Sequence, residues 1–166
     1  MLHREYAGQV CSIARSLEVV GERWSLLIVR EVFLGHHRFD AIQGNLGITR
    51  SVLSTRLGHL VEHGVLERRR YQPHPERFEY HATEKGTELF PMLGLLMAWG
   101  DRHYPEPEGP PRILVHRGCG GALDGQLTCR RCGATPPIAE IDSEPGPALR
   151  ARGLAGEAAA VAPSRP

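Results

Sequence analysis

With 166 residues and a formal net charge of +1 at pH 7, the chain has room for one domain of ordinary size and a small appendage, and its overall charge singles out no class of partner. Of its 20 basic side chains only Lys85 is lysine, and the abundance of Arg, Ala, Gly and Pro fits a GC-rich genome as readily as a function. Residues 1–10 carry Arg4, Glu5 and Gln9 without an apolar run, and the longest apolar stretch, Leu89–Trp99, is about half of what spanning a bilayer requires, so a signal peptide and a membrane span are both excluded and a cytoplasmic protein is expected.

Three zones succeed one another. Residues 1–104 are mixed and periodic, as a folded domain requires. Ile13, Leu17 and Val20 recur at helical spacing up to Gly21. Trp24, Leu27, Ile28 and Phe33 mark a second, more buried helix stopped by Gly35. Phe39, Ile42 and Leu46 mark a short third one, and Leu46-Gly47-Ile48 a tight turn. Thr49 is a natural N-cap for a longer helix reaching His63, because its hydroxyl can accept from the free amides of the next turn. Val65–Tyr71 and Arg77–Ala82 read as strands around the loop 72–76, the second alternating Phe78, Tyr80 and Ala82 with Arg77, Glu79 and His81. Thr83 caps a last helix to about His103, with a kink or break expected at Pro91.

This order is a helix-turn-helix followed by a wing, so the expected fold is mainly α with a small β-ribbon. In the second helix of the motif, Leu53, Leu57, Leu60 and Val61 define a buried face. The opposite face carries Ser51, Thr55, His59 and Glu62, flanked by Arg50, Ser54 and Arg56. Short polar side chains let a helix enter the major groove closely, and arginine can fork onto guanine or grip phosphate. The hairpin adds Arg68, Arg69 and Arg70 on one strand, His74 in the loop and Arg77 on the next. Residues 36–77 hold seven arginines against four acids, a local excess of basic charge in a nearly neutral chain. The candidate DNA contacts are thus Arg38, Thr49, Arg50, Ser51, Ser54, Thr55, Arg56, His59, Arg68, Arg69, His74 and Arg77. A winged helix used only to hold a protein partner would show much of the same pattern; a steep loss of affinity with salt would tell DNA from protein.

The chain resembles the HxlR-type winged-helix regulators. The resemblance is carried by Cys11–Ala14, Gly21-Glu22-Arg23-Trp24, Leu26–Glu31, Arg38-Phe39, Ile48-Thr49, Leu53–Leu57, Leu60, Gly64-Val65-Leu66, Arg68, Glu79-Tyr80 and Thr83–Gly86. It covers about Cys11 to Tyr104. It implies a sequence-specific transcriptional regulator, expected to repress, that forms a homodimer through its first and last helices and binds a palindromic operator in double-stranded DNA. It implies no enzyme. Several family members sense electrophiles or oxidants through a cysteine at the start of the first helix, so a small-molecule or oxidant effector is implied and Cys11 is the matching residue. Here Ser12 follows it where the family usually has proline, and a small buried apolar role is the alternative.

Residues 105–112 read as a stiff proline-rich linker that uncouples the remainder of the chain from the winged helix. Residues 113–138 contain His116, Cys119, Cys129 and Cys132, two ligand pairs that can close a tetrahedron around a structural zinc ion. Gly120 and Gly133 come directly after the second ligand of each pair, where a knuckle turn needs positive φ. Asp124-Gly125, between Leu123 and Leu127, reads as a two-residue hairpin turn. Nothing else in this zinc-ribbon-like segment is expected to form a core, so metal would supply the folding energy. A reversible Cys129–Cys132 disulfide and a ribbon without metal are the alternatives; a thiol–disulfide oxidoreductase is disfavoured because no βαβ context surrounds the two cysteines. Residues 139–166 are nearly free of large apolar groups and are expected to be disordered.

Overall fold

Five helices and a two-stranded ribbon occupy residues 12–87 of the computed structural model, which describes residues 11–153 and 159–160. The described chain divides into two units, one holding residues up to Val32 and 36–86, the other Phe33–Gly35 and everything from Thr87 onward.

The first unit contains α1 (Ser12–Val20), α2 (Ser25–Phe33, up to Val32), α3 (Phe39–Leu46), α4 (Arg50–Glu62), β1 (Leu66–Gln72), β2 (Arg77–Ala82) and most of α5 (Glu84–Thr87). Its core is Ile28, Val29 and Val32 of α2, Ile42 of α3, Leu53, Leu57 and Leu60 of α4, and Val65 and Leu66 entering β1. Each large aliphatic side chain buried here contributes roughly 1.5–3 kcal/mol. α1 turns only Ala14 and Val20 inward and leaves Ile13 and Leu17 exposed. β1 and β2 pair antiparallel from Leu66↔Ala82 to Gln72↔Arg77, with an irregularity between Arg70 and Gln72. α5 starts from Thr83, whose hydroxyl accepts from Gly86 N at 3.0 Å.

The second unit is built on α6 (Phe90–His103) and a four-stranded sheet in the order β4-β3-β5-β6. The strands are β3 (Arg112–His116), β4 (Gly121–Ala122), β5 (Ile141–Pro145) and β6 (Ala159–Ala160), and α7 (Pro147–Ala151) comes after β5. Proline has no N–H and its ring collides with the carbonyl four residues back; Pro91 therefore sits in the first turn of α6, and the expected single helix is broken into α5 and α6. Phe33 packs edge-on against Phe90, with ring centroids 5.3 Å apart. α6 lies against the ribbon through small residues. A methyl group at Gly94 would come within 2.8 Å of Leu127 Cδ2, and one at Gly125 within 3.3 Å of Ala98 Cβ.

Three expectations need correction. The boundary drawn at residue 104 does not separate the last helix from the ribbon: α6 and residues 113–138 share one unit, because Gly94 and Ala98 let the helix approach Leu127 and Gly125. Residues 139–153 are ordered. β5 pairs with β3 from Arg112↔Pro145 to His116↔Ile141, and the alternation Ile141-Asp142-Ser143-Glu144 buries Ile141 and Ser143. The turn at Asp124-Gly125 is longer than two residues: Asp124 N donates to Thr128 O at 2.8 Å, and Leu127 has φ +61°. Asp124 Oδ1 holds that loop by accepting from the amides of Gln126 and Thr128, each at 2.8 Å. Residues 154–158 and 161–166 of the tail, like residues 1–10, lie outside the described residues. No described helix is long and apolar enough to cross a membrane.

The pairing of β5 with β3 makes a direct prediction. Ile141→Asp should raise amide hydrogen exchange across residues 112–116 while leaving the amides of α4 protected; unchanged protection of 112–116 would mean that β5 does not support the ribbon.

Candidate nucleic-acid interface and candidate metal centre

Two local devices fix α4. Gly47 ends α3 in the left-handed region at φ +62°, which glycine adopts without the steric cost a side chain brings. Ile48 is then buried in the core, and Thr49 Oγ1 accepts from Val52 N at 3.4 Å to cap α4. Glu31 on α2, 3% exposed, is held by Arg30 at 2.6 Å and by Asn45 Nδ2 of α3 at 2.8 Å. A buried carboxylate without partners would be costly, so this contact ties α3 to α2.

With Leu53, Leu57 and Leu60 buried, Arg50, Ser51, Ser54 and Thr55 lie exposed on the other side of α4. Arg50 rests over the ring of Phe39 at 4.9 Å, and Thr55 Oγ1 donates to Ser51 O at 3.0 Å. Two of the sequence candidates are engaged elsewhere. Arg56 is paired with Glu22 at 3.1 Å, and His59 Nε2 lies 3.2 Å from Glu18 O.

Arg38 sits just before α3, paired with Glu79 of β2 at 3.0 Å and stacked on Tyr71 at 4.7 Å. In the wing, Arg68 covers Phe78 at 3.9 Å, Arg69 pairs with Glu67, and Arg70 with Glu76 at 3.3 Å. His74 and Arg77 are exposed, and the Arg77 side chain makes no hydrogen bond or ion pair among the described residues.

Sequence reasoning missed the joint that carries the wing. Tyr80 N donates to His37 O at 2.8 Å, and His37 Nδ1 donates to Tyr80 O at 3.0 Å. The His37 and His81 rings stack at 4.2 Å. Burial, and then the neighbouring His81, hold the His37 pKa below its usual value of 6.5. The only signal in the sequence is the pair of histidines at 36 and 37.

The second unit gathers the four metal-ligand candidates. Their ligand atoms all lie within 4.8 Å of one another. Cys119 Sγ stands 3.4 Å from Cys129 Sγ, 3.6 Å from Cys132 Sγ and 3.4 Å from His116 Nδ1, and that nitrogen is 3.3 Å from Cys132 Sγ. These lengths are close to the edges, about 3.5–3.8 Å, of a tetrahedron built on Zn–S bonds of ~2.3 Å. All four cysteines of the chain are free thiols. Gly120 and Gly133 take φ +66° and +73°, as knuckle turns require. The amides of Cys132 and Arg131 point at Cys129 and lower its pKa from 9.0 to about 6, favouring the thiolate that ligates metal. On its far side, His116 Nε2 lies 3.3 Å from Glu140 Oε2. A carboxylate there fixes the tautomer of a ligating histidine. Glu140 was missed because it belongs to the segment expected to be disordered. The cluster can hold a metal ion, with four protein ligands and no position left open for substrate.

Cys11 is half-buried at the N-cap of α1, where its carbonyl accepts from Arg15 N at 3.2 Å.

Residues 19–108 match the HxlR-like helix-turn-helix family. The chain belongs to this family. An HTH-type transcriptional regulator of Mycobacterium tuberculosis strain H37Rv is 48% identical over 141 residues, covering 85% of this chain and 89% of that protein. A continuous match of that length necessarily runs through residues 113–138, so this relative extends into the ribbon segment. An HTH-type regulator of Synechocystis is 34% identical over only 87 residues, or 52% of this chain. Among solved structures, the candidate transcription factor PA1607 is similar at TM-score 0.65 and 36% identity, over 78% of this chain and 89% of that one. PA1374 of Pseudomonas aeruginosa is similar at TM-score 0.51 and 40% identity, over 83% of this chain and 94% of that one. The protein is a DNA-binding transcription regulator with a mainly α, winged-helix fold.

The His37 joint gives the wing a pH dependence of defined sign. A histidine whose pKa is depressed on folding favours the folded state only while neutral. The contribution is complete above about pH 6.5 and declines as pH falls through 6.5 toward the lower folded value. The urea midpoint of the wild type should therefore fall more between pH 7.5 and 5.5 than that of His37→Gln. Equal pH slopes would show that His37 does not set this dependence.

Proposed function

We propose that the protein is a homodimeric repressor that acts in the cytoplasm and reads a palindromic operator through α4, with the wing on the flanking backbone. The observation that carries this reading is the exposed face of α4, where Arg50, Ser51, Ser54 and Thr55 stand clear of the core on a helix pinned by Leu53, Leu57 and Leu60. Short side chains allow close approach to base edges, and Arg50 at the N-terminal end occupies the position from which a recognition helix reads. Thr49 acts through the cap, and Arg38, Arg68, Arg69, His74 and Arg77 are suited to phosphate. Arg56 and His59 have the lesser part, being engaged by Glu22 and Glu18. The dimer reading is supported by apolar side chains left in water: Ile13 and Leu17 on α1, and Leu95, Leu96 and Trp99 on α6. Exposed apolar side chains of this size on a helix face ordinarily meet a partner. Cys11, half-exposed at the start of α1, is the candidate thiol for an oxidant or electrophile effector.

We further propose that His116, Cys119, Cys129 and Cys132 hold one structural zinc ion, with Glu140 orienting His116. The chemistry of the donor set and the inter-ligand distances support zinc over a purely thiol role. When bound, the ion would join the knuckle of residues 116–120 to that of 129–133. In its absence, the buried apolar groups Leu114, Val115, Leu123, Leu127 and Ile141 are the ribbon's main support.

Two experiments test these readings. On DNA selected from a random pool, Arg50→Ala should cost about 1–3 kcal/mol and relax specificity at one position of each half-site. Arg77→Ala should weaken all sequences alike and reduce the salt slope by about one. Specific affinity unchanged in Arg50→Ala would remove α4 as the reader. For the metal, protein purified without chelator should carry about one zinc per chain and Cys129→Ser almost none. Because α6 packs on the ribbon, loss of metal should also loosen α6, contrary to the uncoupling expected of a proline linker. Metal-free protein with full protection of residues 112–145 would refute the zinc site.

A further inference from the structure

Beside the contacts of Gly94 and Ala98, α6 and the ribbon do not close on each other. They leave a groove of about 960 Å³ within the second unit, at the upper end of the volumes, about 300–1,000 Å³, that take small organic ligands. Its floor is apolar: Ala98 of α6 with Ile113, Leu114 and Leu123 of the ribbon. Its charged groups are Arg102, Arg112 and Arg130 against Asp101 and Asp124. The two carboxylates are not equivalent. Asp124 is already committed, since its Oδ1 accepts from the amides of Gln126 and Thr128, and Arg130 lies near enough to stabilise it. Arg102 makes no hydrogen bond or ion pair among the described residues, whereas Arg112 Nη1 donates to Ser143 Oγ at 3.4 Å. The pKa of Asp101 is raised by burial, which disfavours its charged form, so the groove combines an apolar floor with three guanidinium groups against two carboxylates at its walls.

We propose that this groove is a binding site for an amphipathic organic anion, an aromatic or aliphatic body carrying a carboxylate or sulfonate. The body would displace water from Ala98, Leu114 and Leu123, and the anionic group would meet Arg102 and Arg130, both on exposed side chains that can turn to it. Guanidinium suits this task because its fork matches two oxygens of such a group and it is more weakly hydrated than an ammonium. A neutral ligand of the same shape would gain only the floor, and a cation would be repelled. The site uses none of the α4 residues and none of the four metal-ligand side chains, but Arg130 lies in the 129–133 knuckle, so its placement rests on that knuckle being formed. One wall is α6, the helix bearing exposed Leu95, Leu96 and Trp99, so a ligand here would bias the helix proposed to dimerise.

The test uses the full chain in its metal-loaded form and two fluorescent probes of similar body, the anionic 8-anilinonaphthalene-1-sulfonate and the neutral N-phenyl-1-naphthylamine. The sulfonate should bind saturably, one per chain, at least tenfold more tightly than the neutral probe. The variant Arg102→Glu, an exposed position outside both metal-ligand knuckles, should lose at least tenfold in sulfonate affinity while its affinity for the neutral probe stays within twofold. Three results would each overturn the proposal: no saturable sulfonate binding to the wild type, equal affinity for the two probes, or sulfonate affinity unchanged by the charge reversal in a variant that keeps the wild-type circular dichroism. The last would place the probe on the apolar stripe of α6 instead.

Discussion

The turn at Gly47-Ile48-Thr49 is the constraint on which the exposed face of α4 depends. A left-handed residue at 47 stops α3, Ile48 is driven into the core, and Thr49 restarts the chain as a capped helix. These local devices fix where α3 ends and where α4 begins. Once α4 starts there, the spacing of Leu53, Leu57 and Leu60 sets its rotation, and that rotation leaves Arg50, Ser51, Ser54 and Thr55 outward. The buried Glu31–Asn45 contact carries the same geometry back to α2. A side chain at 47 would incur the left-handed penalty of about 1–2 kcal/mol and would put the turn itself at risk.

The second unit solves a different problem. A ribbon of this size has few apolar groups, and three features bear on it: the four clustered side chains able to hold a metal ion, the addition of β5 to the edge of β3, and the close seat of α6 on Leu127 made possible by Gly94. Glu140 links the first two, because the segment that supplies the neighbour of His116 leads directly into β5. The relative from Mycobacterium tuberculosis spans this region while the shorter one from Synechocystis matches little more than half of the chain. The match to the family model ends at residue 108, before the ribbon.

Much of this was legible in the sequence where a feature is local. The Gly47 turn, the Thr49 cap, the α4 stripe and the positive φ at Gly120 and Gly133 each depend on a few adjacent residues, and the winged-helix plan on their order. What was not legible depends on contacts far apart in sequence. Arg56 and His59 have the right side chains on nearly the right face, yet Glu18 of α1 and Glu22 just beyond it engage them. The His37–Tyr80 joint crosses more than forty residues and leaves no periodic trace. β5 was hidden because Asp142 and Glu144 dilute its hydrophobicity, although the alternation that buries Ile141 and Ser143 was present. The coupling of α6 to the ribbon was obscured by the prolines between them, which stop a helix but do not hold apart the elements on either side.

The reading of DNA by α4 as one of a symmetric pair is tested most directly by hydroxyl-radical and methylation-protection footprinting on a fragment that the protein selects from random DNA. The predicted result is an inverted repeat with guanines protected in two successive major grooves, their centres one helical turn, about 34–36 Å, or a multiple apart. Selection that enriches no sequence, or a footprint confined to a single half-site, would contradict it.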